Sequence, residues 1–560
     1  MPNKTFKIKS HSHSLGQVPL SSDSTVHCCT MILLLLLVAV GYLIYRWSVA
    51  TFDYFEKLNV PFLKPYPLFG AIWPYIKGEK SPVEATTEGY RLFPGNRFSG
   101  FFSFREPGYL IHDPELIKQI GIRDFDHFTD HANNVSVEVD PFLGRSLFFS
   151  DGQRWKHGRT ALSPAFTGSK MRNMFELLTS YTDGAMKRLV EDAAGAGDKL
   201  EKEMRDLFQK LGNDVMTSIS IGMDIDSVHD PDNELYAYGK RMATTSGLQG
   251  FRFFILTLLP EALLKIIKIR IIPEDIANFY YDVVSKVIKY RLEKKIIRPD
   301  FIHLMLQARK NELKADKTDE TLNNAGFSTV QEHLEVPSKT MVEWSDYDIA
   351  ATSASFFFGG IESTTTLVCF TLYEIAMNPD VQQKLRKEVD ATKRSLDNTK
   401  LTYESMQQMK YLDMVITETL RKWPPFGVTN RRCTKPYTLE NANGSKVTIH
   451  KGQVLFFPIH EIQRDPQYYP DPERFDPERF SDQNRASLNQ DAYLPFGTGP
   501  RNCIGSRLTL MQAKCYLFYL LTSFDVELSK KTDVPIQLDL RSSGLNAKNG
   551  FWMNLVPRIK

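Results

Sequence analysis

The first strong pattern along the chain is an uncharged apolar run from Cys28 to Tyr45, with five consecutive leucines at Leu33–Leu37. As a helix this run would span roughly 27 Å, close to the thickness of a bilayer core. Arg46 and Trp47 follow it, a cation and an aromatic suited to the interface. No small-x-small cleavage site comes next, and Pro61, Pro65 and Pro67 stiffen a polar continuation. The pattern predicts one uncleaved transmembrane anchor at residues 31–47 and a Pro-containing linker at 48–67. Lys4, Lys7 and Lys9 before the span balance Arg46, Lys57 and Lys64 after it, so the positive-inside rule alone gives no orientation. A start at Met31 would break the tie: the basic residues then all follow the apolar run, and the globular part faces the cytosol. Residues 1–30 read as a non-native extension on that basis.

Residues 68–560 predict one large domain, mainly α with small β-sheets. Extended pieces rich in turn residues fall at Phe98–Asp113 and Tyr437–Pro458, and the polar stretch Lys310–Lys339 reads as an exposed loop between helices. The strongest helix runs from Ser345 to Met377. Ser345 with Asp348 resembles a capping box, and Asn378-Pro379 ends this helix while opening the next. Its length, roughly 50 Å, would cross the whole domain. Phe251–Ile272 is apolar with Arg252, Lys265, Lys268 and Arg270 interspersed, which fits an interfacial element or a buried core helix.

Composition changes this picture little. Hydrophobic residues at 42% and charged residues at 24% describe a globular protein, and a net charge of +3 without a basic tract gives no case for nucleic acid. The 37 Phe and 23 Tyr point to large apolar interior surfaces. Six cysteines are too few for a disulfide framework, and none has zinc-like spacing; Cys369, Cys433 and Cys515 read as small core residues in a reducing compartment.

Two places break the ordinary pattern. Gly359 and Gly360 sit mid-helix, where each costs about 1 kcal/mol relative to Ala. Either another helix packs closely there or a flat ligand lies against the backbone. Glu362, Ser363, Thr364, Thr365 and Thr366 follow at once, a concentration of polar groups that suggests a notch opening onto a ligand. The second place is Phe496-Gly497-Thr498-Gly499-Pro500-Arg501-Asn502-Cys503-Ile504-Gly505. Gly497 and Gly499 permit a tight turn, Pro500 stiffens the approach, and Gly505 leaves room for a planar group. A cysteine at the start of a helix near Arg501 is favoured as thiolate, a form able to bind haem iron.

This stretch resembles the haem-binding signature of cytochromes P-450, Phe-Gly-x-Gly-x-Arg-x-Cys-x-Gly, at every defined position. Glu418-Thr419-Leu420-Arg421 and Pro477-Glu478-Arg479-Phe480 resemble further family motifs in the right order. Val60–Pro65, Asp124–Phe128 and Trp155–Arg159 are similar to insect microsomal members of clan 3, above all the family 9 group.

The resemblance implies a cytochrome P-450 fold with a single N-terminal anchor and a haem-thiolate monooxygenase in the endoplasmic reticulum membrane. Cys503 would be the iron ligand. Trp155, Arg159, Arg501 and either Arg431 or its rival Arg432 would meet haem propionates, with Phe496, Gly499, Gly505, Gly359 and Gly360 shaping the cofactor's bed. Glu362 and Ser363 would deliver protons. The family usually has Thr where Ser363 stands, so the methyl that restricts the rotamer is missing.

The resemblance further implies O2, NADPH electrons delivered by NADPH-cytochrome P-450 reductase, cytochrome b5 as a possible second donor, and lipophilic substrates such as xenobiotics or endogenous lipids. Phe356, Phe357 and Phe358 would line the distal pocket or pack in the core. Pro425–Thr429 and Ser542–Asn546 would be other substrate-facing loops. A haem-thiolate isomerase would tend to lose the Glu362-Ser363 pair, and a haem sensor would need a regulatory module that the sequence lacks.

Overall fold

The computed structural model describes residues 22–132, 135–230, 232–243, 261–268, 270–313, 326–329, 344–397, 399–542 and 544–558. Residues 251–260 and most of Lys310–Lys339 therefore lie outside the described residues. The apolar run forms one helix, Ser22–Val49, with Met31–Tyr45 exposed. It continues on both sides of residues 31–47 and is long and apolar enough to cross a membrane.

The central helix runs from Asp346 to Met377. Its start is set by a capping box: Ser345 accepts from the Asp348 N–H, and Asp348 accepts from the Ser345 N–H. Asn378 ends it, and Pro379 opens the helix Pro379–Ser395. Helices Met204–Met216, Glu274–Lys294, Lys410–Lys422 and Ser506–Ser523 pack around it and bury most of its length.

Phe98–Asp113 and Tyr437–Pro458 carry strands where the turn residues predicted extended chain, and further strands that the sequence did not predict lie outside them. Strands β1 (Phe98–Ser103) and β2 (Glu106–Ile111) pair antiparallel. With β4 (Thr429–Arg432) and β7 (Val454–Phe457) they make a four-stranded sheet in the order β1-β2-β7-β4. Strands β5 (Tyr437–Glu440) and β6 (Lys446–Ile449) form a hairpin beside it. The third sheet joins β3 (Leu200–Glu203) to β8 (Phe524–Leu528) and β9 (Trp552–Pro557) in the order β3-β9-β8.

One part of the polar stretch is not an exposed loop. Gly326–Thr329 is docked: Ser328 is buried against the Thr417 and Tyr493 hydroxyls at 2.8 and 2.6 Å, and Phe327 packs on Phe480 and Tyr493. One aromatic anchor outweighs the polarity of its neighbours, a choice that composition averages away.

Glu418 and Arg421 are both fully buried, bonded twice at 2.7 and 2.9 Å. Arg479 lies 3.5 Å from the same carboxylate, and the Asp476 N–H donates to it. Burial pushes the Glu418 carboxyl up from its ordinary range, and the Arg421 charge opposes that. The network clamps the helix Lys410–Lys422 to the Pro477–Phe480 turn, which leads toward the Cys503 loop.

Candidate active site

The loop that carries Cys503 is closed by its own backbone. The Cys503 N–H donates to the Phe496 carbonyl at 2.9 Å, and a 3-10 turn spans Gly499–Arg501. Gly497 and Gly499 have φ of 73° and 71°, conformations that side chains resist. Gly499 has a second reason, since a Cβ there would fall 1.7 Å from the Gly121 carbonyl oxygen. Arg501, Asn502 and Ser506 are buried around Cys503, which is itself exposed. Gly505, the N-cap of the helix Ser506–Ser523, has open space where its Cβ would be.

The two mid-helix glycines separate. Gly360 is the packing glycine: a Cβ there would lie 2.6 Å from Met216, whose sulfur accepts from Gln512. Gly359 meets nothing within 4 Å. Phe356 and Leu508 line one small void, and Thr364 donates to Gln512 at 2.8 Å. The 356/360/364 stripe thus faces the helix that follows Cys503. One residue round, about 100°, lies the 355/359/363 stripe. Ser355 and Ser363 are half-buried and Gly359 is exposed, so this stripe borders an opening.

The Ser363 hydroxyl donates to the Gly359 carbonyl at 2.5 Å, with the oxygen still exposed. Glu362 turns toward the helix Met204–Met216, where it is ion-paired with Arg205 and accepts from Gln209 at 2.9 Å. Phe356 packs tilted against Phe166 and edge-on against Phe301, while Phe357 is wholly buried against Tyr280. Phe357 is core. The loops at Pro425–Thr429 and Ser542–Asn546 meet through the Leu545 N–H and the Pro425 carbonyl, with Phe426 exposed.

Cations gather beside the cysteine loop. Arg159, Arg431 and Arg501 are 3%, 1% and 7% exposed. Arg159 donates to the Asn502 carbonyl and side chain at 2.9 and 2.6 Å. Arg431 donates to the Thr498 carbonyl at 3.1 Å, and its Nε has no partner among the described residues. Arg501 donates to the Thr129 and Ser150 carbonyls and lies 3.9 Å from the Trp155 ring centre. The rival Arg432 points elsewhere, to the Ala132 carbonyl.

Burial pulls Arg431 down to about 10. Burial, then the Arg431 charge, pulls Arg501 down to about 9. Asp130 lies 3.7 Å from Arg501. A pocket with this excess of buried positive charge fits a dianion. Haem, with two propionates and an iron able to take a thiolate, suits the donor set.

Sequence reading missed His131, which belongs to the same cluster. Its ring nitrogen lies 3.0 Å from the Asn430 carbonyl and 3.5 Å from Arg431. Burial, then Arg431 and Arg501, pulls it down to about 3, so it is neutral. A lone histidine three residues after Phe128 carries no spacing signal, and only the fold brings it here. Arg205 and Gln209 were missed for the same reason.

The family model for Cytochrome P450 matches residues 60–553. The chain belongs to the cytochrome P450 family. It is 37% identical over 534 residues to Cytochrome P450 9e2 of Blattella germanica, covering 93% of this chain and 96% of that one. Probable cytochrome P450 9f2 of Drosophila melanogaster is 37% identical over 523 residues, 92% and 97% of the two chains. Cytochrome P450 6k1 of Blattella germanica is 33% identical over 531 residues, 94% and 97% of the two. As a cytochrome P450 the protein is a haem-thiolate oxidoreductase that incorporates one atom of oxygen, and membership implies a redox partner and lipophilic substrates in general.

Proposed function

We propose that this cytochrome P450 is anchored in the endoplasmic reticulum membrane with its catalytic domain in the cytosol. It takes NADPH electrons from NADPH-cytochrome P-450 reductase, with cytochrome b5 as a second donor, and oxygenates lipophilic xenobiotics or endogenous lipids. The observation that carries this reading is the convergence of buried Arg159, Arg431 and Arg501 on a loop whose cysteine alone among its neighbours is exposed. Haem supplies the oxygen and redox chemistry. Cys503 would bind its iron through the thiolate, and the three arginines, Trp155 and neutral His131 would hold its carboxylates. Gly359 and Gly505, where a Cβ would meet nothing within 4 Å, would leave it room.

Ser363 holds a proton at its Oγ on the open stripe. Glu362 connects it to solvent once Arg205 releases the carboxylate. The test is NADPH-dependent turnover of lipophilic compounds with the reductase, measuring product and hydrogen peroxide per NADPH. Ser363→Ala should keep haem and substrate binding while product per NADPH falls about tenfold or more. Stability should change by only about 1 kcal/mol. Ser363→Thr should couple at least as well as the parent. Equal coupling in the Ala variant would remove Ser363 from this role, and turnover without O2 or NADPH would remove the monooxygenase reading itself.

Orientation has its own test. Asn443 lies in the exposed turn between β5 and β6, within the acceptor sequence Asn443-Gly444-Ser445. Endoglycosidase treatment of the protein from cells should leave its mobility unchanged, because a cytosolic Asn443 meets no glycosylation machinery. A sugar on Asn443 would place the domain in the lumen.

A further inference from the structure

Asp140 is 1% exposed, and among the described residues no Lys or Arg lies within ion-pair distance of it. Its carboxylate is held by backbone alone. One oxygen accepts from the Phe142 and Leu143 N–H groups at 3.1 and 2.9 Å, a local turn. The other accepts from the Ile271 and Ile272 N–H groups at 3.0 Å each, from a segment remote in sequence. An unpaired carboxylate tolerates such burial only because its donors are complete, and charge-assisted bonds of this kind are about twice as strong as neutral ones.

The two segments it ties have different attachments. The loop after Asp140 is seated on the first turns of the central helix: Phe142 packs edge-on against Tyr347 and Arg145 pairs with Asp348. Ile271 and Ile272 join the helix Glu261–Ile267, where Ile266 is 76% exposed, to the helix Glu274–Lys294. Lys265 and Glu138, 3.8 Å apart and exposed, add only a weak second link.

We propose that Asp140 is a positioning residue that latches the substrate entrance. It holds the wall on the central helix against the segment that follows the exposed Ile266 and sets how fast a bulky lipophilic molecule passes between them. The proposal rests on reading the exposed Ile266 side as the side from which substrate arrives. A merely structural carboxylate would change stability when removed but not the rate of passage.

The experiment uses the full-length, haem-loaded protein in bilayer nanodiscs and a bulky azole whose nitrogen ligates the iron. Stopped-flow absorbance follows its binding and displacement. Asp140→Ala and Asp140→Asn should raise the association and dissociation rates together by about tenfold or more, with Kd nearly unchanged, because losing even one such bond is worth a factor of that size. Carbon monoxide, small enough to need no opening, should bind at the parent rate. Asp300→Asn, which disrupts a buried pair with Arg291 elsewhere, should lower thermal stability without changing azole rates. Unchanged azole rates in the Asp140 variants overturn the latch.

If neither variant accumulates as holoprotein, hydrogen–deuterium exchange on the parent decides. The Ile271 and Ile272 amides should be protected and become more so with azole bound, whereas rapid exchange of both overturns the proposal. A parent that gives no azole-induced Soret shift would instead refute the haem reading, a distinct failure.

Discussion

Replacing Cys503 with His is expected to abolish the strongly red-shifted Soret band of the reduced, CO-bound protein and to reduce monooxygenase turnover to background. A thiolate pushes electron density onto the iron in a way that an imidazole does not, and both the band position and O–O cleavage depend on that push. The loop should survive the change. Its closure depends on the Cys503 N–H and the Phe496 carbonyl, on glycines at positive φ, and on Arg501, none of which uses the sulfur. Haem should still bind, since the arginines remain in place. The measurement is the reduced CO difference spectrum together with haem content. A Cys503→His protein that retains the red-shifted band would show that another residue ligates the iron.

Glu418→Ala should be nearly as severe by a different route. The carboxylate sits at the centre of a dry network, and removing it leaves the fully buried Arg421 facing the Gln463 and Pro472 carbonyls without its counter-charge. Orphaning one partner of a buried pair costs about 3–5 kcal/mol, a large share of the roughly 5–15 kcal/mol that holds a typical domain together. The expected result is little or no haem-loaded protein, read from the CO spectrum and from a shortened thermal half-life. Glu418→Leu combined with Arg421→Leu should recover part of the loss, because two apolar groups leave no buried charge unpaired. If Glu418→Ala alone accumulates normally and melts like the parent, the pair is not what clamps the helix Lys410–Lys422 to the Pro477–Phe480 turn.

Several features could be read along the chain because they are set by neighbours in sequence. The anchor helix depends on an uninterrupted apolar run, the central helix on a cap at Ser345 and a stop at Asn378-Pro379, and the β5–β6 hairpin on turn residues between short strands. The cysteine loop belongs here too. Its glycines, proline and arginine lie within one stretch of backbone, so covalent spacing fixes much of their geometry. The Glu418–Arg421 pair is three residues apart on one helix and is equally local.

What only the tertiary structure decided involves groups far apart in the chain. Sequence left two explanations for Gly359 and Gly360; packing assigned close contact to Gly360 and open space to Gly359, because Met216 comes from another helix. Arg431 and Arg432 are adjacent in β4, and successive strand side chains point to opposite faces, so the register of the sheet chose which one reaches the cysteine loop. Phe357 became core rather than pocket for the same kind of reason, the approach of Tyr280. His131, Arg205 and the Asp140 contact to Ile271 and Ile272 carried no local signal at all. Periodicity and spacing encode what a residue's own helix or turn requires. Where a buried charge finds its partner is settled by which distant backbone and side-chain groups the packed core brings within about 3 Å of it.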